Sequence, residues 1–282
     1  MEKNMIPEPN LPSRNEFYND LRRDPANMSH WLPAILPKEG ETRELRIPKT
    51  AIVQASDDVC TSFFMEREGD MDRILAFVRE KLLPAAKSAG LYPQFFMKNG
   101  GFSDKFRFDL CVPGPCDLKI AANLIDMNYD ALCFSADGFT EVCLRELIPY
   151  DRSATACIYS GLPLRPEFRV FYDFTAHRPL YAANYWDWDY CHERILANAT
   201  DGLAYNAAYA GILAKYEAMK DSVMEKAARD MADVEGLQGP WSVDVMLCEE
   251  EGPHEGLWLI DMAPGPRSAY WDPAKAGQTK GE

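Results

Sequence analysis

Basic residues are scarce in this chain of 282 residues, where 30 Lys and Arg stand against 44 Asp and Glu and leave a formal net charge of −14. The sequence contains no run of Lys or Arg that would form a local basic patch. A surface this acidic repels phosphate backbones, so we expect no nucleic acid as the main partner. A site for any anionic ligand would have to gather its cations locally.

Long apolar runs are also missing. No window approaches the roughly 18 uninterrupted apolar residues of a membrane helix, and the N-terminus lacks the pattern of a signal peptide. The eight cysteines are scattered without a C-x-x-C pair, and the four histidines have no partner at metal-binding spacing. We therefore expect no membrane contact, reduced cysteines and a cytoplasmic location.

What is present is a mixture of helical and strand patterns. Apolar spacing predicts helices at 15–23, 70–89, 116–128 and 190–234. Single strands are predicted at 45–54 and 141–148, and hairpins at 94–98 with 105–110, within 166–188, and at 241–248 with 257–262. Because the strands come mostly as hairpins, the sequence predicts an α+β fold with antiparallel sheets.

Four regions follow from this pattern. We expect an N-terminal extension, 1–45, that packs on the body, and an N-terminal lobe, 46–150. A break after Pro149 then leads into a C-terminal lobe, 151–272. The polar tail 273–282 is expected to be disordered.

The last predicted hairpin carries two aspartates. If its loop is centred on the Gly-Pro step at 252–253, Cys248 pairs with Leu257, and Asp244 then lies opposite Asp261. Strict alternation would place Leu257, Leu259 and Asp261 on one face of their strand. Two carboxylates that face each other among apolar residues repel, so the arrangement requires a neutralising partner.

That partner could be a shared proton, a basic side chain or a metal. Hard oxygen ligands suit Mg²⁺ or Mn²⁺. The alternative is an exposed hairpin with two ordinary aspartates, or with one of them paired to Arg267. The hairpin by itself does not decide between these.

Three further segments could carry chemistry. Lys98 ends an apolar strand and precedes a Gly-Gly turn, after which comes Lys105, and glycines let the backbone approach phosphates. A strand that runs out into Pro149 could offer backbone groups to a base, with Glu146 near a ribose. Glu167 and Arg169 share one face of an aromatic strand. The simpler alternatives are a plain turn, a plain strand, and a Glu167–Arg169 pair on an exposed face.

The order of these segments resembles the ATP-grasp family, in which two α+β lobes clamp ATP in a cleft between them. The stretches EFRVFYD and WLIDMAP are most similar to two groups. One is the eukaryotic ATP-grasp group that assists assembly of a translation initiation factor, and the other is a phage and bacterial clade of small ATP-grasp proteins. The resemblance spans about Ile47 to Ser268 and rests on about five short motifs.

The resemblance implies a role for each matching residue. Asp244 and Asp261 would bind Mg²⁺ (or Mn²⁺), and Lys98 and Arg169 would act on the phosphates as catalytic residues. The other implied contacts to ATP are a phosphate lid, Gly100, Gly101 and Ser103, with Lys105 beside it; an adenine hinge, Arg145, Glu146, Leu147 and Ile148; and Glu167 at the ribose.

The chain departs from the family at Ala263, where an asparagine usually follows the last metal carboxylate by two residues. The implied activity is an ATP-dependent carboxylate–amine ligase that works through an acyl-phosphate, on an acid and an amine that the sequence does not identify; one of them could belong to a protein or peptide. The alternatives are a nucleotide-binding assembly or interaction factor with little turnover, which the missing asparagine favours, and a kinase-like phosphotransferase.

Overall fold

A computed structural model describes residues 14–133 and 139–277. The helices are α1 Arg14–Arg22, α2 Met28–Ile35, α3 Asp57–Ser62, α4 Asp70–Phe77, α5 Leu83–Ser88, α6 Phe108–Cys111, α7 Asp117–Cys133, α8 Trp188–Leu196 and α9 Ala199–Met231. The strands are β1 Thr50–Gln54, β2 Phe96–Asn99, β3 Glu141–Arg145, β4 Cys157–Ile158, β5 Leu162–Pro163, β6 Glu167–Asp173, β7 Arg178–Asn184, β8 Pro240–Cys248 and β9 Gly256–Pro264.

The strands form a three-stranded sheet of order β1-β3-β2, a four-stranded sheet of order β7-β6-β8-β9, and the small pair β4-β5. Every pairing between these strands is antiparallel. The predicted α+β class with antiparallel sheets is therefore confirmed. None of the helices in the described ranges is long and apolar enough to cross a membrane.

Each of the two larger sheets has its own core. The first core joins β1–β3 to α1 and to α4–α7, with Phe95, Ile74 and Leu124 at its centre. A π-helical turn, Val78–Leu82, connects α4 to α5, where Pro84 removes one N–H from the helical ladder.

The second core lies between the four-stranded sheet and the long helix α9. Asn198 caps α9 by accepting hydrogen bonds from the backbone N–H groups of Thr200 and Asp201. Helix α2 also belongs to this core, and its Trp31 is fully buried against the sheet. The extension therefore contributes one helix to each core, because Tyr18 of α1 packs in the first. The boundaries between the four predicted regions stay a prediction, and 278–282 of the predicted tail lie outside the described residues.

One predicted strand is wrong. The segment 105–110 alternates in polarity, but it forms a 3₁₀ turn, Lys105–Arg107, followed by α6. Phe108, Leu110 and Cys111 are all buried. A strand buried on one face would expose one of the last two, whereas a helical turn can bury all three.

Candidate functional site

A chamber with an empty volume of about 720 Å³ opens between the two larger sheets. This first chamber is lined by strands β2 and β3 on one side and by β6, β8 and β9 on the other. Nine of the predicted site residues line it: Lys98, Ser103, Lys105, Arg145, Glu146, Leu147, Ile148, Glu167 and Asp261.

An ion pair crosses this chamber from one sheet to the other. Lys98 of β2 donates to both carboxylate oxygens of Asp261 on β9, at 2.9 and 2.7 Å. The Lys98 side chain is 2% exposed and that of Asp261 24%. Burial raises the pKa of Asp261, but the Lys98 and Arg145 charges outweigh it and hold that pKa below its ordinary value. Asp261 is therefore an anion at neutral pH.

A second ion pair lies within the four-stranded sheet. Arg169 on β6 is the register partner of Asp244 on β8 and binds it in a fork, with Nε at 2.7 Å and Nη2 at 2.6 Å from the two oxygens. The pKa of Arg169 is raised, because the Asp244 carboxylate outweighs the effect of burial. The predicted alternative, a Glu167–Arg169 pair, is wrong.

The two aspartates face each other as predicted, since Asp244 is the register partner of Asp261. The predicted loop register is wrong by one residue, because Cys248 pairs with Gly256. A β-bulge at Ile260 adds one residue to β9, and for this reason Asp244 still pairs with Asp261.

The bulge also changes which face Asp261 occupies. Leu259 is fully buried in the second core opposite Val245, whereas Asp261 lines the chamber. Under strict alternation Leu259 and Asp261 would share a face, as the sequence predicted, and that prediction is wrong. The extra residue shifts the phase of β9, so the carboxylate points to the chamber while the leucine stays in the core.

Lys105 and Glu167 form a looser contact. Lys105 Nζ lies 3.6 Å from Glu167 Oε2 and 4.2 Å from the centroid of the Tyr185 ring. Burial disfavours the charge on Lys105, but Tyr185, Glu167 and Asp244 outweigh it and raise its pKa. Burial raises the pKa of Glu167, opposed by Lys105. Glu167 Oε2 is buried without a hydrogen-bond partner.

Arg145 closes the far side of the chamber. Its Nε donates to Thr50 Oγ1 at 3.2 Å and its Nη1 donates to the carbonyl of Ile260, the bulged residue. Its Nη2 is buried and has no partner, and burial lowers the pKa of Arg145. Arg145 thus ties the three-stranded sheet to β9 and keeps one donor unused.

The segment after β3 has unused backbone groups. Glu146 N–H bonds to the Lys49 carbonyl at 2.8 Å, but within the described residues no hydrogen bond joins the backbone of Leu147 or Ile148 to the protein. Both residues line the first chamber. A strand that ends in this way offers its N–H and C=O groups to the edge of a planar ligand.

A second chamber adjoins the first, with an empty volume of about 1200 Å³. Ser103, Lys105, Leu162 and Asp261 line both chambers, so the two are continuous. The second chamber contains the other predicted residues Gly101, Arg169 and Asp244, and about a third of its described lining residues are aromatic.

The two chambers concentrate positive charge. Among the described residues, seven basic side chains line them against four acidic ones. Two of the seven, Arg165 and Arg267, are paired with Glu250 and Asp24 outside the lining, which leaves an excess of one cation in a chain whose net charge is −14. The basic residues are Lys98, Lys105, Arg145, Arg165, Arg169, Arg194 and Arg267. This local reversal of sign favours an anionic occupant.

Gly100 has a different position from the one predicted. A Cβ on Gly100 would overlap Glu141 Oε1 and lie 2.6 Å from Glu141 Cγ and 2.7 Å from Asn27 Oδ1. Gly100 thus packs against a buried acid and the N-terminus of α2, and it is not among the residues that line either chamber. The neighbouring Gly101 and Ser103 do line the second chamber, and Ser103 Oγ is buried without a partner.

One residue of the first chamber escaped the sequence analysis. Arg165 lines it and bonds to Glu250 at 2.7 Å, and it has no sequence signal because only the fold brings it to the site. His254, in the β8–β9 loop, does not line the chamber but contacts its wall, 3.2 Å from Glu146 Oε1, and stacks on Trp258. Arg267, a suggested partner of the aspartates, binds Asp24 instead, at 2.7 and 2.8 Å.

The donor set fits a magnesium ion that is shared with a ligand. Among the described residues no group of three or more His, Cys, Asp or Glu side chains could hold a metal, and the eight cysteines are free. Asp244 and Asp261 supply two facing carboxylates, the number that Mg²⁺ commonly takes from a protein when substrate phosphates complete its shell. Ala263, opposite Ser242, adds no oxygen side chain.

Comparisons with known proteins give remote structural similarity alone. No protein-family model matches the chain, and no curated protein matches it. A solved structure of Cdc123 from Schizosaccharomyces pombe is 14% identical with a TM-score of 0.47, covering 90% of this chain and 88% of that one. A C-terminally truncated Cdc123 from the same organism gives 14% identity and a TM-score of 0.47, at 86% and 85% coverage. The residues of the site itself must therefore support any functional assignment.

Proposed function

We propose that the first chamber binds ATP together with Mg²⁺ and that the protein is a nucleotide-binding protein of the ATP-grasp type. One observation carries the proposal. Three buried polar atoms without a hydrogen-bond partner, Glu167 Oε2, Arg145 Nη2 and Ser103 Oγ, line this same chamber. Buried polar groups are normally satisfied, so three of them in one chamber indicate a polar ligand.

The chamber has suitable groups for each part of a nucleotide. The unused backbone groups of Leu147 and Ile148 would meet the adenine edge. Glu167, whose carboxylate is buried, would accept from a ribose hydroxyl. Lys98 and Lys105 would meet the phosphates, as lysines do in many phosphate sites.

Asp244 and Asp261 would hold Mg²⁺, which would supply positive charge against that of the phosphates. Both carboxylates are now bound by cations, Asp244 by Arg169 and Asp261 by Lys98. When the nucleotide binds, Lys98 and Arg169 would turn to the phosphates and leave the two carboxylates available to the metal. Each of these side chains would then still contact a group of opposite charge.

Two uses of the nucleotide fit the site. Ala263 leaves the metal with one protein ligand fewer than the ATP-grasp pattern, which favours a nucleotide-binding assembly or interaction factor with little turnover. The second chamber, continuous with the cationic end of the first, favours a carboxylate–amine ligase, because a second substrate would need space there.

Isothermal titration with ATP and Mg²⁺ tests binding. We expect saturable binding that requires Mg²⁺, at least tenfold weakening in Lys98→Met, and no change in Lys119→Met, which removes an exposed lysine on α7. Glu167→Gln, which keeps the shape of the side chain, should weaken ATP more than 2′-deoxy-ATP. No binding to the folded wild-type protein would overturn the proposal.

Release of ADP and phosphate separates the two uses. A ligase releases both only when its acid and amine are present, and Asp261→Asn should abolish that release. A binding factor retains ATP without product and is recovered with a stable protein partner.

A further inference from the structure

We propose that the second chamber recognises an anionic aromatic molecule, with its ring among Tyr185, Tyr190 and Tyr270 and its anionic group on Arg194. The proposal rests on the proposed function only for the role of this molecule as a second ligand beside ATP. Recognition itself follows from the rings, donors and charges of the chamber.

The walls are aromatic and held in place. The rings of Tyr190 and Tyr270 lie 4.4 Å apart between centroids. The Tyr270 hydroxyl donates to the Tyr185 carbonyl at 2.6 Å. The backbone carbonyl of Tyr270 accepts from the Tyr181 hydroxyl at 3.0 Å. Because hydrogen bonds hold Tyr270 at both its hydroxyl and its backbone, its ring is a preorganised surface for another ring.

Backbone strain marks the same chamber. Five described non-glycine residues have a positive φ, and two of them, Tyr159 at 50° and Tyr270 at 67°, line this chamber. The left-handed conformation is unfavourable for a bulky side chain, and such strain gathers at ligand sites. Here it aims two rings into one space.

The chamber also has donors without acceptors. Trp186 is 3% exposed, and its Nε1 is buried with no hydrogen-bond partner. Arg194 on α8 is exposed, and in the described part of the chain no carboxylate lies within ion-pair distance of it. Its guanidinium lies 5.1 Å from the Phe106 ring centroid.

The charges select the sign of the ligand. Within 14–133 and 139–277, the only acidic side chains lining the chamber are Asp244 and Asp261, and both are already bound by a cation. Arg194 therefore stands as a cation next to π surfaces and an unused N–H donor. A ligand with acceptor oxygens, negative charge and a flat apolar body satisfies all three features.

Three simple probes test the two parts of this recognition. 3-Phenylpropionate carries a ring and a carboxylate, hexanoate lacks the ring, and 3-phenylpropionamide lacks the charge. We expect 3-phenylpropionate alone to saturate the protein, with a Kd on the order of 1 mM for so small a molecule. Ligand-observed NMR gives the Kd, and quenching of tryptophan fluorescence provides a second readout.

Arg194→Gln should weaken 3-phenylpropionate about tenfold. Arg178→Gln, which removes an exposed arginine at the β6–β7 turn, should leave its affinity unchanged. Equal binding of hexanoate, equal affinity in the two variants, or no saturable binding would overturn the proposal. Titrating Mg²⁺ and ATP separately keeps the outcomes apart. Probe binding without ATP binding would refute the proposed function alone, and ATP binding without probe binding would refute this inference alone.

Discussion

The ion pair between Lys98 and Asp261 should be worth several times more to stability than an ion pair on the surface. Lys98→Met leaves the Asp261 carboxylate without its bidentate donor, and Asp261→Asn leaves a nearly fully buried ammonium without a counter-charge. Breaking a buried pair by removing one partner costs about 3–5 kcal/mol. Because the Asp261 side chain is 24% exposed, we expect the lower end, about 3 kcal/mol, for each single change.

A double-mutant cycle isolates the pair. The double variant Lys98→Met with Asp261→Asn should be less destabilised than the sum of the singles, with a coupling of about 2 kcal/mol. Urea unfolding provides the free energies, and circular dichroism confirms that each variant folds. In a thermal melt, about 3 kcal/mol corresponds to a fall in Tm of roughly 5 °C for a chain of 282 residues, because the entropy of unfolding is about 2.1 cal/mol/K per residue.

The exposed pair between Arg229 and Glu44, 2.5 Å apart with side chains 56% and 40% exposed, is the matched control. The same cycle there should give little or no coupling, because solvent screens an exposed pair. A Lys98–Asp261 coupling no larger than this would refute the view that the pair is held in a low-dielectric chamber. The pKa of Asp261 is lowered, so the coupling is present above the ordinary aspartate pKa of about 4 and disappears only as pH falls below it.

Two further predictions concern the segment that follows Lys98. Gly100→Ala should destabilise the fold by about 1–3 kcal/mol through overpacking, while Gly101→Ala, whose new Cβ would have no neighbour closer than 3.8 Å, should change urea stability little. Burial raises the pKa of the Asp104 carboxyl to about 7, so stability conferred by its protonated form is lost as pH rises from about 4 to 7. Asp104→Asn should therefore stabilise the fold at pH 8 by on the order of 2–4 kcal/mol, which a higher Tm would show, and should change Tm little at pH 4. An equal rise in Tm at both pH values would contradict the assignment.

The sequence sufficed where a local pattern determined the structure. Turn chemistry and alternation predicted the β6–β7 hairpin, and helical spacing predicted α4, α5 and α7. The pairing of Asp244 with Asp261 was also predictable, although through a loop register that was wrong by one residue. The bulge at Ile260 compensated for that error, and no local signal identifies it.

The rest depended on contacts between distant segments. Helix α2 was not predicted as a helix, because Pro33 lies within it and its stability comes from burying Trp31 against the second sheet. The partner of Lys98 lies 163 residues away, beyond any sequence pattern. The second chamber draws rings from residues 159, 185–190 and 270, so its aromatic character emerges only when the chain is folded.

The bulge at Ile260 has a consequence for protein engineering. On a regular hairpin of another scaffold, the two aspartates could not both face a ligand site. Leu259 and Asp261 would lie on the same face of the strand there, so a buried leucine would place Asp261 in the scaffold's interior. A successful graft must carry the extra residue and the arginine that caps its liberated carbonyl. By the same logic, deleting this single isoleucine would dismantle the site while leaving every chemically active side chain in the sequence.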